Sequence, residues 1–236
     1  MNDKEVVDRL SKVNEIVKYS CTEAGRTADS VTLIAVSKTK PIELIEDVYE
    51  AGVRDFGENK VQELCDKYEK LPKDIRWHLI GHLQTNKVKY IIDKVYMIHS
   101  VDSKHLADEI SKQAVKKNIT VRILIEVNVA NEESKFGVFV DECDELVTYI
   151  SKLPNIIVCG LMTVAPYVEN PEENRTIFSI LRKLVVDIKT KNIDNVSMEC
   201  LSMGMSGDYG VAIEEGATYV RVGTAIFGER DYRVIS

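Results

Sequence analysis

The sequence predicts a single α/β domain folded as a (β/α)8 barrel of the TIM type, with an extra helix before the first strand. Three observations carry this. Eight short β-rich runs alternate with longer runs of helical spacing along the whole chain. Several of the β-rich runs are apolar on both faces, as parallel strands between a core and a helical layer must be. No linker, low-complexity tract or charge block interrupts residues 1–236, which therefore read as one domain. An open doubly wound sheet would show the same alternation; the count of eight favours closure.

The elements follow in order. Residues 2–24 place Val6, Val7, Leu10, Val13, Ile16 and Val17 at helical spacing, which predicts an amphipathic first helix. The expected strands of the first half are Thr32–Lys38 "TLIAVSK", Arg54–Gly57 "RDFG", Arg76–Gly81 "RWHLIG" and Met97–Val101 "MIHSV". Those of the second half are Val121–Asn128 "VRILIEVN", Ile156–Val164 "IIVCGLMTV", Val196–Ser202 "VSMECLS" and Tyr219–Phe227 "YVRVGTAIF". Helical patterns between them include Pro41–Ala51, Ser103–Lys117, Asp141–Leu153 and Glu172–Thr190.

Composition excludes several function classes. With 44% hydrophobic and 29% charged residues the chain is an ordinary globular protein. A net charge of −7 argues against a nucleic-acid footprint, which needs a basic face. No apolar run reaches membrane-spanning length, and the charged start "MNDKEVVDRLSKV" is unlike a secretory signal. The five cysteines are scattered, odd in number and without C-x-x-C spacing, which points to reduced thiols in the cytoplasm.

In a barrel, function gathers at the C-terminal ends of the strands, and phosphate commonly binds after strands seven and eight. Here strand seven runs into "SMGMSGDYGVAIEEG", where Gly204 and Gly207 permit close approach and Ser202 and Ser206 offer hydroxyls. A short helix is expected to start near Asp208, and N–H groups at a helix start bind anions. Strand eight ends "RVGTAIFG", adding Gly223 and Thr224. Two such turns on adjacent strands form a candidate phosphate cup, although glycine and serine are also ordinary turn residues. "GMSGD" is not a G-x-S-x-G nucleophile elbow, and "GTAIFG" is not a G-x-G-x-x-G fingerprint.

Arg221 stands between Val220 and Val222 in an expected core strand, beside this cup. It reads either as half of a structural ion pair with Glu126 or Glu199, or as the partner of a bound ring, since pyridoxal phosphate proteins set an Asp or Arg against the ring nitrogen. The charged end of "TLIAVSKTKP" then acquires a purpose. A partly desolvated lysine ending strand one, opposite a phosphate cup, can form a Schiff base with an aldehyde cofactor. Lys38 and Lys40 share strand parity, but Lys40 precedes Pro41, a favoured helix start. Lys40 is thus assigned to an exposed turn and Lys38 to the strand.

The motifs "LIAVSKTKP", "FGENKVQE", "WHLIGHLQTNK", "HSVDS", "SKFG", "GLMTVAP" and "LSMGMSGDYGVAIEEGATYVRVGTAIFGER" run in order from Leu33 to Arg230. Together they resemble the pyridoxal-phosphate homeostasis protein family, itself similar to the N-terminal barrel of alanine racemase. The resemblance implies that Lys38 carries pyridoxal 5'-phosphate as a Schiff base and that Ser202, Ser206, Gly223 and Thr224 hold its phosphate. It also implies that Arg221 faces the pyridine nitrogen, with Asn59 and Met162 near the ring. The implied role is binding, buffering and delivery of the cofactor in vitamin B6 homeostasis, with apo-enzymes as recipients. The alternative is a stand-alone amino-acid racemase of low activity. Alanine racemase continues into a β-domain supplying a catalytic tyrosine; this chain is expected to lack it, and to be a monomer.

Remaining candidates read as structural. His78 and His82 are four apart, but Gly81 and the strand-like "WHLIG" break the helical face that a metal site needs. The segment "GHLQTNK" is instead a candidate polar rim. Lys60, Lys87 and Lys135 read as solvated charges, with attraction of an incoming phosphate as the alternative, and Tyr209 as a packing residue, with a latent acid or base as the alternative.

Overall fold

The computed structural model describes residues 3–132 and 135–229. Ser134 of "SKFG" and Arg230 of the last motif lie outside them. Eight parallel strands close into a barrel in sequence order: β1 Thr32–Val36, β2 Asp55–Glu58, β3 Arg76–Leu79, β4 Val95–Val101, β5 Val121–Glu126, β6 Ile156–Met162, β7 Val196–Ser202 and β8 Tyr219–Val222. The helices are α1 Asp3–Glu23, α2 Ile42–Glu50, α3 Val61–Lys70, α4 Val88–Ile91, α5 Lys104–Lys117, α6 Cys143–Ile150, α7 Arg175–Lys189, α8 Tyr209–Glu214 and α9 Thr224–Phe227. No described helix is long and apolar enough to cross a membrane.

The expected elements are present, with boundaries moved by local chemistry. Ser103 caps α5, its hydroxyl accepting the Leu106 N–H at 3.3 Å. The expected helix from Glu172 splits, because Asn170 and Pro171 first set a tight 3-10 turn over Pro171–Asn174. The largest correction concerns the last strand, expected to reach Phe227. β8 stops at Val222, and residues 224–227 turn helical. The backbone there is pulled off the sheet because the Gly223 and Ala225 N–H groups donate to Ser206 Oγ.

Alternation in the strands separates two environments. One set of side chains, including Ala35, Phe56, Trp77, Ile123 and Val220, joins the apolar faces of the helices in a continuous outer core. α1 contributes Val6, Leu10, Val13 and Val17, all buried, and packs on α2, α8 and α9. Each such side chain stabilises the fold by about 1.5–3 kcal/mol. The barrel interior is different. A small apolar cluster of Met97, Leu124, Cys159 and Met162 occupies part of it. Buried Asp55, His78, His99, Ser202 and Arg221, bonded to one another, account for its polar part.

β6 and β7 approach unusually closely. A Cβ on Gly160 would lie 1.8 Å from the Cys200 carbonyl oxygen, so only glycine fits. Gly160→Ala should therefore destabilise the protein by about 3 kcal/mol or more, read as a lower denaturation midpoint at unchanged m-value. A change below about 0.5 kcal/mol, the range of neutral surface substitutions, would show that this strand pair opens freely.

Candidate functional site

The turn after β1 is held from three sides. Ser37 N–H donates to the Gly57 carbonyl at 3.1 Å, Lys40 N–H to the Ser37 carbonyl at 3.0 Å, and Thr39 adopts a left-handed φ of 62°. Ser37 Oγ donates to Glu58 Oε1 at 2.6 Å, and Lys67 Nζ reaches the Ser37 carbonyl, Glu58 and Glu63 at 2.7–2.8 Å. Thr39 N–H donates to Glu63 Oε1 at 2.5 Å. Lys38 thus sits half-buried in a braced turn two residues beyond β1, not in the strand as expected.

The assignment of Lys40 to exposed surface is also corrected. Its ammonium is a clamp: Nζ donates to the carbonyls of Phe227, Gly228 and Glu229 at 3.1, 2.9 and 3.0 Å, just past α9. Those carbonyls end a helical turn and need donors. Sequence reasoning missed Glu58 and Lys67 altogether. Glu63 and Lys67 look like an ordinary exposed i,i+4 helix pair, and nothing local shows that Lys67 is buried against β2.

Across the barrel seam, β1 pairs with β8 so that Ala35 stands beside Val222. A Cβ on Gly223 would meet the Val36 carbonyl oxygen at 3.2 Å, so the Gly223 backbone lies against the strand end that leads to Lys38. Here Ser206 Oγ accepts two converging backbone N–H groups, from Gly223 at 3.2 Å and Ala225 at 3.3 Å. Thr224 is exposed alongside. Backbone donors meeting on one oxygen, next to a hydroxyl, suit a phosphate oxygen. The expected anion site at the start of α8 is not available. The Asp208 carboxylate stands before the helix, accepting the Met205 N–H at 2.7 Å and the Asn174 amide N–H at 2.8 Å and making no bond to the N–H groups of α8, and its charge would repel an anion.

Arg221 is 4% exposed. Its guanidinium donates to Ser202 Oγ and to the Thr163 carbonyl, each at 2.7 Å. Burial pulls its pKa down to about 10 against the opposing attraction of Glu126 and Asp208, so it stays cationic at neutral pH. Neither suggested ion pair forms among the described contacts; Glu126 acts on it only at longer range. Ser202, expected to hold phosphate, is fully buried and engaged with Arg221 and His99, which removes it from the cup.

Glu126, Met162 and Ser202 are register neighbours at the ends of β5, β6 and β7. Burial and the nearby Asp102 push the Glu126 carboxyl up to about 7, with Arg221 opposing. Met162 is fully buried. Asn59 Oδ1 is buried without a hydrogen-bond partner among the described residues. Asn59 also borders a cavity of about 600 Å³ lined by Lys60, Gln62, His82, Gln84 and Lys87. His82, Gln84 and Lys87 of "GHLQTNK" thus line this cavity, next to Asn59.

The two histidines diverge. His78 is buried inside the barrel, whereas His82 stacks on Phe136 at 3.9 Å and lies 3.6 Å from Asp102. Among the described residues, no three His, Cys, Asp or Glu side chains group to hold a metal ion. Tyr209 is buried in the outer core.

Residues 17–231 match the family described as alanine racemase, N-terminal domain. A curated relative from Aquifex aeolicus, named pyridoxal phosphate homeostasis protein, is 52% identical over 95% of this chain and 98% of its own. The protein of that name from Escherichia coli K12 is 36% identical over 98% of this chain and 99% of its own. The solved structure of PipY from Synechococcus elongatus with PLP bound superposes with a TM-score of 0.82 at 32% identity, covering 94% of this chain and all of that one. Alanine racemase from Corynebacterium glutamicum shares the fold at a TM-score of 0.69 and 17% identity, over 95% of this chain and 62% of its own.

Two predictions test the site. Lys67→Met leaves the fully buried Glu58 without its cation and should cost about 3 kcal/mol at pH 7. Burial raises the Glu58 pKa against the pull of Lys67, so part of that loss should return as the pH is lowered and Glu58 takes up a proton. Glu126 is the second. Its folded-state pKa of about 7 exceeds the ordinary 4.5, so the folded protein keeps a proton that the unfolded chain releases. This contribution is fully present below pH 4.5 and lost as pH rises through 7, a fall of about 3 kcal/mol. Denaturation of Glu126→Gln across that range should lack this component of the wild-type pH dependence.

Proposed function

The chain belongs to the pyridoxal phosphate homeostasis protein family, and on that premise we propose that it holds pyridoxal 5'-phosphate as a Schiff base on Lys38, for storage and delivery in the cytoplasm. The observation that carries this reading is the β1–β8 seam, which seats the braced Lys38 turn against Gly223 and the Ser206 hydroxyl. The cofactor supplies an aldehyde that condenses with a primary amine, releasing water. The chain's residues do the rest. Ser206, Gly223 and Thr224 take the phosphate, the Lys38 turn presents the amine, and Asn59 and Met162 border the ring.

Storage rather than turnover is supported by Arg221. A buried donor that is cationic at neutral pH, set at the ring nitrogen, would disfavour protonation of that nitrogen, and an unprotonated ring is a poor electron sink for carbanion chemistry. Free thiols at all five cysteines suit a reducing compartment. The protein is proposed to act as a monomer that passes cofactor to apo-enzymes.

A second reading, a low-activity amino-acid racemase, is favoured by one observation: Glu126 at the strand ends is poised to gain or lose a proton near neutral pH. Borohydride trapping of the cofactor-loaded protein followed by peptide mass spectrometry should label Lys38, and a label on another lysine would defeat the assignment. Lys38→Ala should lose the Schiff-base absorbance while melting within a few degrees of wild type. Incubation with alanine in deuterated water should show no exchange beyond one equivalent of protein; sustained α-carbon exchange that Glu126→Gln abolishes would establish the racemase instead.

A further inference from the structure

A chain of hydrogen bonds crosses the barrel interior from β2 to β8. His78 Nε2 meets Asp55 Oδ1 at 2.9 Å, His78 Nδ1 meets His99 Nε2 at 2.9 Å, and His99 Nδ1 meets Ser202 Oγ at 3.0 Å. Arg221 Nη1 completes it, donating to Ser202 Oγ at 2.7 Å. Asp55 begins β2, whereas Arg221 lies near the end of β8. The linking groups His78, His99 and Ser202 are fully buried, Asp55 is 5% exposed, and Arg221 is 4% exposed.

The direction of every bond in this chain is determined by its ends. Arg221 can only donate, and an ionised Asp55 can only accept. Hydrogen bonds from Arg76 and His78 outweigh burial and hold Asp55 below its ordinary value, hence ionised. Burial lowers both histidines, so each is a neutral ring with one donor and one acceptor; the His78–Asp55 contact is a hydrogen bond rather than an ion pair. One arrangement satisfies all four contacts. Arg221 donates to Ser202, Ser202 to His99 Nδ1, His99 Nε2–H to His78 Nδ1, and His78 Nε2–H to Asp55. Reversing either ring sets two acceptors or two hydrogens face to face in a buried site, which costs about 1–3 kcal/mol for each unmet group.

We propose that His78 and His99, oriented by Asp55, are positioning residues that hold Arg221 in place through Ser202. The inference rests on the reading of Arg221 as the group against the cofactor ring. With Ser202 Oγ committed as an acceptor, the guanidinium has a fixed anchor on one side and the Thr163 carbonyl on another, and its remaining donors keep one direction.

The chain has four histidines, so two-bond proton–nitrogen spectra of the uniformly labelled full-length protein can assign each ring. His78 and His99 should both be neutral Nε2–H tautomers from pH 6 to 8, with or without cofactor. His78→Phe keeps a ring but removes the acceptor for His99; it should flip His99 to the Nδ1–H form and speed release of pyridoxal 5'-phosphate about tenfold, the effect of one lost buried hydrogen bond. His78→Asn retains an acceptor at the Nδ1 position and should restore both. A native His99 in the Nδ1–H form, a His78 titrating in that range, or a His78→Phe release rate within twofold of wild type would overturn the proposal. A merely structural role would lower the melting temperature of both variants and leave release unchanged, which also overturns it. Should His78→Phe fail to fold, Ser202→Ala, which deletes the anchor itself, carries the same release test. Borohydride labelling of Lys38 in each variant separates failure of this proposal from failure of the cofactor reading.

Discussion

Closure of the sheet through β1 and β8 is the constraint on which the rest depends. Parallel strands leave unpaired edges unless the sheet closes, and here the first strand satisfies the last, with Ile34 beside Arg221 and Ala35 beside Val222. Residues nearly two hundred positions apart become neighbours at this seam. The turn bearing Lys38, the Gly223 backbone and the Ser206 hydroxyl meet there, and Lys40 ties the seam from outside by capping the carbonyls beyond α9.

Polar groups inside a barrel are costly unless each is bonded. This protein meets the cost in two separate ways. The Glu58–Lys67–Glu63 group neutralises buried charge by direct ion pairing and braces the Lys38 turn. The interior chain uses no direct ion pair between its charged ends; Arg221 and Asp55 are joined by two neutral rings and a hydroxyl whose dipoles all run one way. Such aligned bonds reinforce one another in a medium of low dielectric. One device sets where the amine stands, the other where the guanidinium stands.

That division bears on the proposed function. Under the proposed reading, a cofactor held at its aldehyde, phosphate and ring nitrogen by pre-set groups would lose little entropy on binding. In that reading the same Arg221 that would grip the ring would also weaken it as an electron sink. Glu126 stands apart, a buried carboxyl at the strand ends that Asp102 and burial keep close to half-protonated at neutral pH.

The sequence by itself determined the barrel, because period-2 and helical spacing are local and eight strand-like runs, several of them apolar on both faces, favour a closed sheet. It also singled out Lys38, Ser206, Arg221, Gly223 and Thr224, since a charge or a Gly-plus-hydroxyl turn at a strand end is visible in a short window. What it could not decide was partnership. Lys40 as a clamp, Ser202 as the anchor of Arg221, Asp208 bonded to Asn174, and Lys67 buried under the turn all depend on contacts from distant parts of the chain. The stop of β8 at Val222 has the same origin, in a serine seventeen residues away. Nothing local links His78 to His99, and closure of the barrel places them in line. Local periodicity encodes which elements form; only the closed sheet decides which buried polar atoms face each other, and therefore what each of them can do.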